Sequence, residues 1–307
     1  MDSIKIFSPS SVANLSCGFD VLGLCLETVG DEIIIRKANT PGLRIIKIDG
    51  ENLPLAIEEN VAGIAAKSYL NKYPTEFGIE IEIYKKVKAG SGIGSSAASA
   101  VGAVYGINEL LERRHEKIDL IVHAVDGEKL ASGEAHADNI APAMLGGLTL
   151  VRDLKSLDII KLPSPSDLVI TIIHPKIELK TSHSRAILKK EVPFKSMVKQ
   201  TANIAGLISG LYTNDYGLIS RSLKDEIVEK ERSVLIPEYK TLKNSALEIG
   251  AIGCGISGSG PSVFAISRGM SLATEVAKQF KDIISKLGID SDIYVSKINP
   301  NGVQKII

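Results

Sequence analysis

The chain has 307 residues, enough for one large domain or two of ordinary size, and its 44% hydrophobic and 23% charged residues form a globular balance that excludes a disordered chain. Thirty-six Lys and Arg offset 36 Asp and Glu, so no bulk charge draws the chain to nucleic acid or to a membrane surface; a small-molecule partner is expected instead. No run approaches about 18 uninterrupted apolar residues, and the first residues lack a signal-peptide pattern. Three cysteines without CxxC and five histidines without HExxH exclude a disulfide framework and a structural zinc site, so a reduced, cytoplasmic protein is expected.

In chain order, β-branched residues crowd 32–36 and 43–48 with Pro41 and Gly42 between them, which predicts a hairpin. Asn60 before Val61, Ile64, Ala65 and Tyr69 predicts a capped helix over 60–71. Ile79, Ile81 and Ile83 alternate with Glu80 and Glu82, so 79–84 is expected as a strand with one buried face. A glycine-rich turn follows and opens a helix of roughly 95–113. Strands are expected at 148–151 and 168–175, and the Pro/Ser-rich segment 162–167 marks a domain boundary. Helices over 196–212, 215–231 and 238–249 lead to a second glycine-rich turn beginning at Gly253. A strand at 263–267, a helix at about 271–287 and a last strand at 292–298 complete the order, which fits two α+β units.

The first glycine turn, KAGSGIGSSAAS from Lys88, raises a chemical question. It lacks the lysine of a GxxxxGK[ST] loop and the third glycine of a dinucleotide fingerprint. Glycines can still aim successive N–H groups into one concavity, and the following helix adds its N-terminal amides and positive dipole end. The hydroxyls of Ser95 and Ser96 suit a phosphate or a metal ion. A plain helix cap after a tight turn is the competing account.

Three further segments, 9–27, 131–147 and 253–265, are dense in small and polar residues. With SPSSVANLSCGFDVLGL, GSGIGSSAAS and GISGSGPSVFAI in this order, the whole chain resembles the GHMP kinases, and GFDVLGL, HADNIAP and TSHSR are similar to the branch that phosphorylates homoserine. Ser16-Cys17 stands where that branch commonly has a Gly-Pro pair, and Lys88 replaces a frequent proline, where it could add a phosphate-facing charge. The resemblance implies an α+β, two-domain GHMP kinase architecture. Residues 1–162 would form a ribosomal protein S5 domain 2-like half with the ATP phosphate loop, and 163–307 a ferredoxin-like half. It also implies a homodimer.

The implied activity is transfer of the ATP γ-phosphoryl group to the side-chain hydroxyl of L-homoserine, in threonine biosynthesis, with Mg²⁺. Lys88, Ala89, Gly90, Ser91, Gly92, Ile93, Gly94, Ser95, Ser96 and Ala97 would form the nucleotide loop. Ser96 and Glu128 would hold the metal, with Glu134 the rival ligand. Asn139 would orient the substrate hydroxyl, with Asp138 the nearest carboxylate and the base left open; the two could equally cap the helix that follows. Arg185 and Arg232 would clamp the substrate carboxylate, Asp20 would meet its ammonium, and Asn14, His136 and Thr181 would complete the contacts. Gly258, Ser259 and Gly260 would help close the site. The alternatives are another small carboxylate alcohol as acceptor, mevalonate or shikimate, or a catalytically silent nucleotide-binding sensor.

Overall fold

The computed structural model describes residues 2–113, 115–133, 135–179 and 181–306. Three strands, β1 (Ser3–Ala13), β2 (Leu22–Ala38) and β3 (Leu43–Asp49), precede α1 (Val61–Lys72), β4 (Gly78–Tyr84), α2 (Ser95–Leu110) and α3 (Lys117–Ser132). Then come α4 (Ile140–Leu145), β5 (Leu148–Asp153), β6 (Asp158–Leu162) and β7 (Leu168–Pro175). Helices α5 (Thr181–Ala186), α6 (Phe194–Thr213), α7 (Tyr216–Ser222), α8 (Glu229–Arg232) and α9 (Tyr239–Ile249) follow. The chain ends with β8 (Gly253–Ile256), β9 (Val263–Arg268), α10 (Met270–Ser285), β10 (Ser291–Lys297) and β11 (Gln304–Lys305).

Two sheets organise these elements. The first runs β11-β1-β2-β4-β3, with β5 pairing the other half of β2 and β6 pairing β5; the second runs β10-β7-β9-β8, antiparallel throughout. Strand β2 serves two neighbours because it is 17 residues long: Leu22–Leu24 pair with β5, and Glu32–Ala38 pair with β4.

The predicted hairpin does not form. Strand β4 lies between its two arms, antiparallel to β2 and parallel to β3. Its alternation explains the choice. Ile79, Ile81 and Ile83 are buried with Ile33, Ile35 and Ile45 on one face. On the other face, Glu82 meets Arg36 at 2.9 Å and Glu80 meets Arg44 at 3.6 Å, so both flanking strands supply opposite charge to the central one.

Helix α1 starts where expected, with Asn60 Oδ1 accepting from the amides of Ala62 and Gly63 at 3.0 and 3.4 Å. Helix α2 lies close on β1 and β2 because its residues are small. A Cβ at Gly102 would stand 2.5 Å from Ile33 Cδ1 and 2.8 Å from Ser8 Cβ. This contact fixes where the N-terminus of α2 points.

The expected helix over 215–231 is two helices, α7 and α8. The first ends at Ser222, and before the second the Asp225 carboxylate accepts from the amides of Ile227, Val228 and Glu229 at 2.8, 2.9 and 3.0 Å. Part of the second glycine-rich turn is strand β8. The last strand is β11, which returns to the first sheet and pairs Lys305 with Ile6. Beyond those predicted, the chain also forms β1, the first half of β2, α3, β6 and α5, while α4 is the helix that follows Asn139. All three cysteines are buried and unpaired. No helix among the described residues is long and apolar enough to cross a membrane.

Candidate active site

The glycine turn joins β4 to α2. Gly90, Gly92 and Gly94 have φ of 73°, 80° and 68°, in the left-handed region that disfavours side chains. At Gly92 space forbids one as well, since a Cβ would lie 2.6 Å from the Gly260 carbonyl oxygen and 2.7 Å from that of Ser257. The loop is clamped from behind by the third motif. Ser257 Oγ donates to the Gly92 carbonyl at 2.8 Å, and Ser262 Oγ to the Ser91 carbonyl at 2.6 Å. Two loop carbonyls thus point towards the second sheet.

Below the loop lies a buried ion pair that sequence reasoning missed. Lys85 Nζ donates to Asp31 Oδ2 at 2.5 Å, to the Ser95 carbonyl at 3.0 Å and to Ser99 Oγ at 3.0 Å. It ties the first turn of α2 to β2. Asp31 also accepts from the Lys86 amide at 2.9 Å.

The opposite wall comes from the segment between β1 and β2. Asn14, Leu15, Ser16 and Asp20 all have positive φ, at 72°, 42°, 61° and 61°, a cluster of strained backbone of the kind that functional sites sustain. Asn14 spans it: Oδ1 accepts from the Asp20 amide at 3.0 Å, and Nδ2 donates to the Gly258 carbonyl at 2.8 Å. Arg232 Nη1 donates to the same carbonyl at 2.9 Å, and its Nε to the Ser184 carbonyl at 3.2 Å. Burial, with Arg185 nearby, lowers the Arg232 guanidinium to about 10.

Asp20 and Arg185 form a two-pronged pair, with Nη2–Oδ1 at 3.0 Å and Nη1–Oδ2 at 3.2 Å. His136 Nδ1 lies 3.6 Å from Asp20 Oδ2. The ring of Phe19, from the GFDVLGL stretch, lies 5.5 Å from the Arg185 guanidinium and 5.1 Å from that of Arg232. Both guanidinium groups are therefore within cation–π range of one ring.

Asp138 is buried, and burial pushes its carboxyl up to about 6; Asp20 adds to the rise and His136 opposes it. Its Oδ1 accepts the Asn139 amide proton at 3.1 Å. Asn139 stands at the N-cap position of α4, but its side chain bonds none of the helix's first amides. Across the cleft, burial raises the Glu128 carboxyl to about 7, while a hydrogen bond with Ser96 draws it back.

One cleft brings together Asn14, Asp20, Gly90, Gly92, Gly94, Ser95, Ser96, Glu128, His136, Asp138, Asn139, Thr181, Arg185 and Arg232. Gly258 and Ser259 line it too, and Thr181 Oγ1 lies 3.3 Å from Ser259 Oγ. A larger adjoining cavity shares Gly90, Ser95, Ser96, Glu128 and Thr181 and is also lined by Leu53, Pro54 and Val61.

The remaining expected loop residues lie elsewhere. Lys88 Nζ donates to the Gly50 carbonyl at 3.1 Å, so its charge is directed to that loop and not into the cleft. Ala89 lines the adjoining cavity but not the cleft, and its amide donates to the Glu51 carboxylate at 3.0 and 3.1 Å. Ser91, Ile93 and Ala97 are buried behind the cleft lining. Glu134 lies outside the described residues.

Residues 60–147 match the GHMP kinases N terminal domain, and residues 207–286 match the GHMP kinases C terminal domain. The chain is 40% identical over 320 residues to the homoserine kinase of Chlorobium phaeobacteroides (strain BS1), with 100% of both proteins covered. It is similar to the crystal structure of homoserine kinase from Cytophaga hutchinsonii, with a TM-score of 0.96 and 48% identity over 100% of this chain and 98% of that one. The L. major mevalonate kinase in complex with R-mevalonate, at 15% identity and a TM-score of 0.73 over 96% of each chain, shares the fold.

Proposed function

The chain belongs to the GHMP kinase family, and from that premise we propose that it is a homoserine kinase, transferring the γ-phosphoryl group of ATP to the side-chain hydroxyl of L-homoserine to give O-phospho-L-homoserine. The observation that carries the choice of acceptor is the Asp20–Arg185 pair beside the phosphate loop. The ammonium and carboxylate of an α-amino acid can replace both halves of that pair. A plain hydroxy acid such as mevalonate or shikimate satisfies Arg185 but strips Asp20 of its guanidinium without supplying a cation. Arg232, held by two backbone carbonyls and the Phe19 ring, supplies a second guanidinium on the same wall.

Phosphoryl transfer through a loose transition state depends on alignment and charge neutralisation more than on strong base catalysis. The glycine loop and the N-terminus of α2 would receive the phosphates, and the adjoining cavity with Leu53, Pro54 and Val61 suits the nucleoside. Asn139, lining the cleft between the loop and Asp20, would orient the acceptor oxygen. The acceptor proton leaves as the new O–P bond forms, and Asp138 is the adjacent carboxylate able to take it. Ser96 and Glu128 fit Mg²⁺: they are hard oxygen donors, and the cost of charging buried Glu128 is what a divalent cation would offset. When bound, the ion would neutralise phosphate charge.

An ADP-release assay with Mg²⁺-ATP tests the proposal against L-homoserine, D-homoserine, L-serine, mevalonate and shikimate. Strong preference for L-homoserine is expected. Turnover of mevalonate or shikimate in its place would reject the acceptor, and nucleotide binding without any turnover would make the protein a silent sensor.

A further inference from the structure

Asparagine at an N-cap usually accepts from the first amides of its helix. Asn139 does not; its Oδ1 accepts from Ser11 Oγ at 2.9 Å instead. Ser11 is fully buried in β1, and its own amide donates to the carbonyl of Ile93, inside the phosphate loop, at 3.2 Å. Gly94 seals the other side: a Cβ there would stand 2.3 Å from Ser11 Oγ and 2.9 Å from Asn139 Oδ1.

The direction of Ser11 has a cause in the strand. Ser8 donates to the Ala98 carbonyl on α2, so its side chain faces the helices. Three residues further, a regular strand would turn its side chain to the opposite face. The pairing of β1 with β2 is irregular between Pro9 and Ser11, which stand opposite Gly30 and Cys25. That irregularity returns Ser11 to the helix side, where it meets Asn139.

A carboxamide has one accepting end and one donating end. With Oδ1 held by Ser11, the NH₂ end is the one left to face the cleft that Asn139 lines. We propose that Ser11 is a positioning residue that sets the amide orientation of Asn139, so that Asn139 donates to the acceptor hydroxyl oxygen. The inference rests on the role of Asn139 proposed above. It excludes Asn139 Oδ1 as the destination of the acceptor's proton.

The test is a double-mutant cycle of Ser11→Ala and Asn139→Ala, read as kcat and KM for L-homoserine. Ser11→Ala alone should lower kcat by about tenfold with KM nearly unchanged, the loss of one oriented hydrogen bond. Ser11→Thr, which keeps the hydroxyl, should recover most of it. In the Asn139→Ala background, Ser11→Ala should change nothing further. An equal loss in both backgrounds, or no loss in either, overturns the inference. If Asn139→Ala leaves kcat intact while the wild type phosphorylates homoserine, there is nothing for Ser11 to act through, and the inference falls while the activity stands. If Ser11→Ala does not fold, Ser11→Cys carries the same cycle. A readout without turnover keeps the two ideas apart even for an inactive wild type: the side-chain ¹⁵N amide signals of Asn139, assigned by their loss in Asn139→Ala, should shift in Ser11→Ala. Unshifted signals overturn the positioning role.

Discussion

Replacing Arg185 with alanine separates recognition of the substrate carboxylate from everything else in the cleft. The guanidinium makes two charge-assisted bonds to Asp20, at 3.0 and 3.2 Å, so it is already aimed and its fork pre-formed. Truncating one member of a buried, hydrogen-bonded charge pair costs about 2–5 kcal/mol. Here the two side chains are 25% and 27% exposed, so solvent screens part of the interaction and the lower end applies, about 2 kcal/mol. At about 1.4 kcal/mol per factor of ten, KM for L-homoserine should rise about 30-fold. The assay is ADP release at saturating Mg²⁺-ATP, run in parallel with homoserinol, which keeps the amine and the hydroxyl but has no carboxylate. Homoserinol should be indifferent to the loss of Arg185, and Arg185→Lys should regain only part of the homoserine affinity because a point charge cannot span two oxygens. An unchanged KM for homoserine would remove Arg185 from the pocket. An equal loss for both substrates would refute the reasoning differently, by showing that the wall around Asp20 had collapsed.

Asn139→Leu should lower kcat by about 100-fold or more while KM for homoserine stays near the wild-type value, as expected for a hydrogen bond that matters most in the transition state; lost affinity with intact turnover would make Asn139 a binding residue only. Glu128, raised by burial to about 7 from an ordinary carboxyl near 4.5, binds its proton more tightly in the folded state, so its contribution to stability is complete below about pH 4.5 and is lost as pH rises through 7. Glu128→Gln should therefore flatten the fall in melting temperature across that window, and added Mg²⁺ with nucleotide should raise the melting temperature of the wild type at pH 8 more than that of the variant; identical profiles would place Glu128 away from any cation. Lys85→Ala leaves Asp31 charged and buried without its ammonium, which should cost about 3–5 kcal/mol in urea unfolding, whereas the Lys85→Met, Asp31→Leu double variant should lose much less. A single variant of wild-type stability would show that the pair does not tie α2 to the sheet.

What could be read in advance was local. The Asn60 cap, the alternation of Ile79, Ile81 and Ile83, and the left-handed glycines of the turn before α2 each depend on residues a few positions apart, and each is where the pattern puts it. The hairpin failed because the partner of a strand is a global choice: nothing within 32–48 reveals that Glu80 and Glu82 will find Arg44 and Arg36 on either side. Over 215–231 the apolar spacing is helical throughout, and what holds the break is tertiary as well as local: Asn203 donates to the Lys224 carbonyl, Gln200 accepts from the Glu226 amide, and the Asp225 carboxylate reaches forward to three amides. Lys88 misled for a related reason. A cation beside an anion-binding loop suggests attraction, but the carbonyl it reaches belongs to Gly50, in another turn.

The resemblance supplied most residues of the cleft but not their bonds. Asp20 and Arg185 stand 165 positions apart, and no motif says that they neutralise each other. The three serines of SPSS show how far the limit reaches. They are chemically identical and nearly adjacent, yet Ser8 donates to a helix carbonyl while Ser11 donates to the side-chain Oδ1 of Asn139. What separates them is one irregularity in strand pairing between Pro9 and Ser11, opposite the stretch where β2 passes from β5 to β4. A side chain's chemistry is written at its own position; the direction in which it acts is written in the register of the strand beside it.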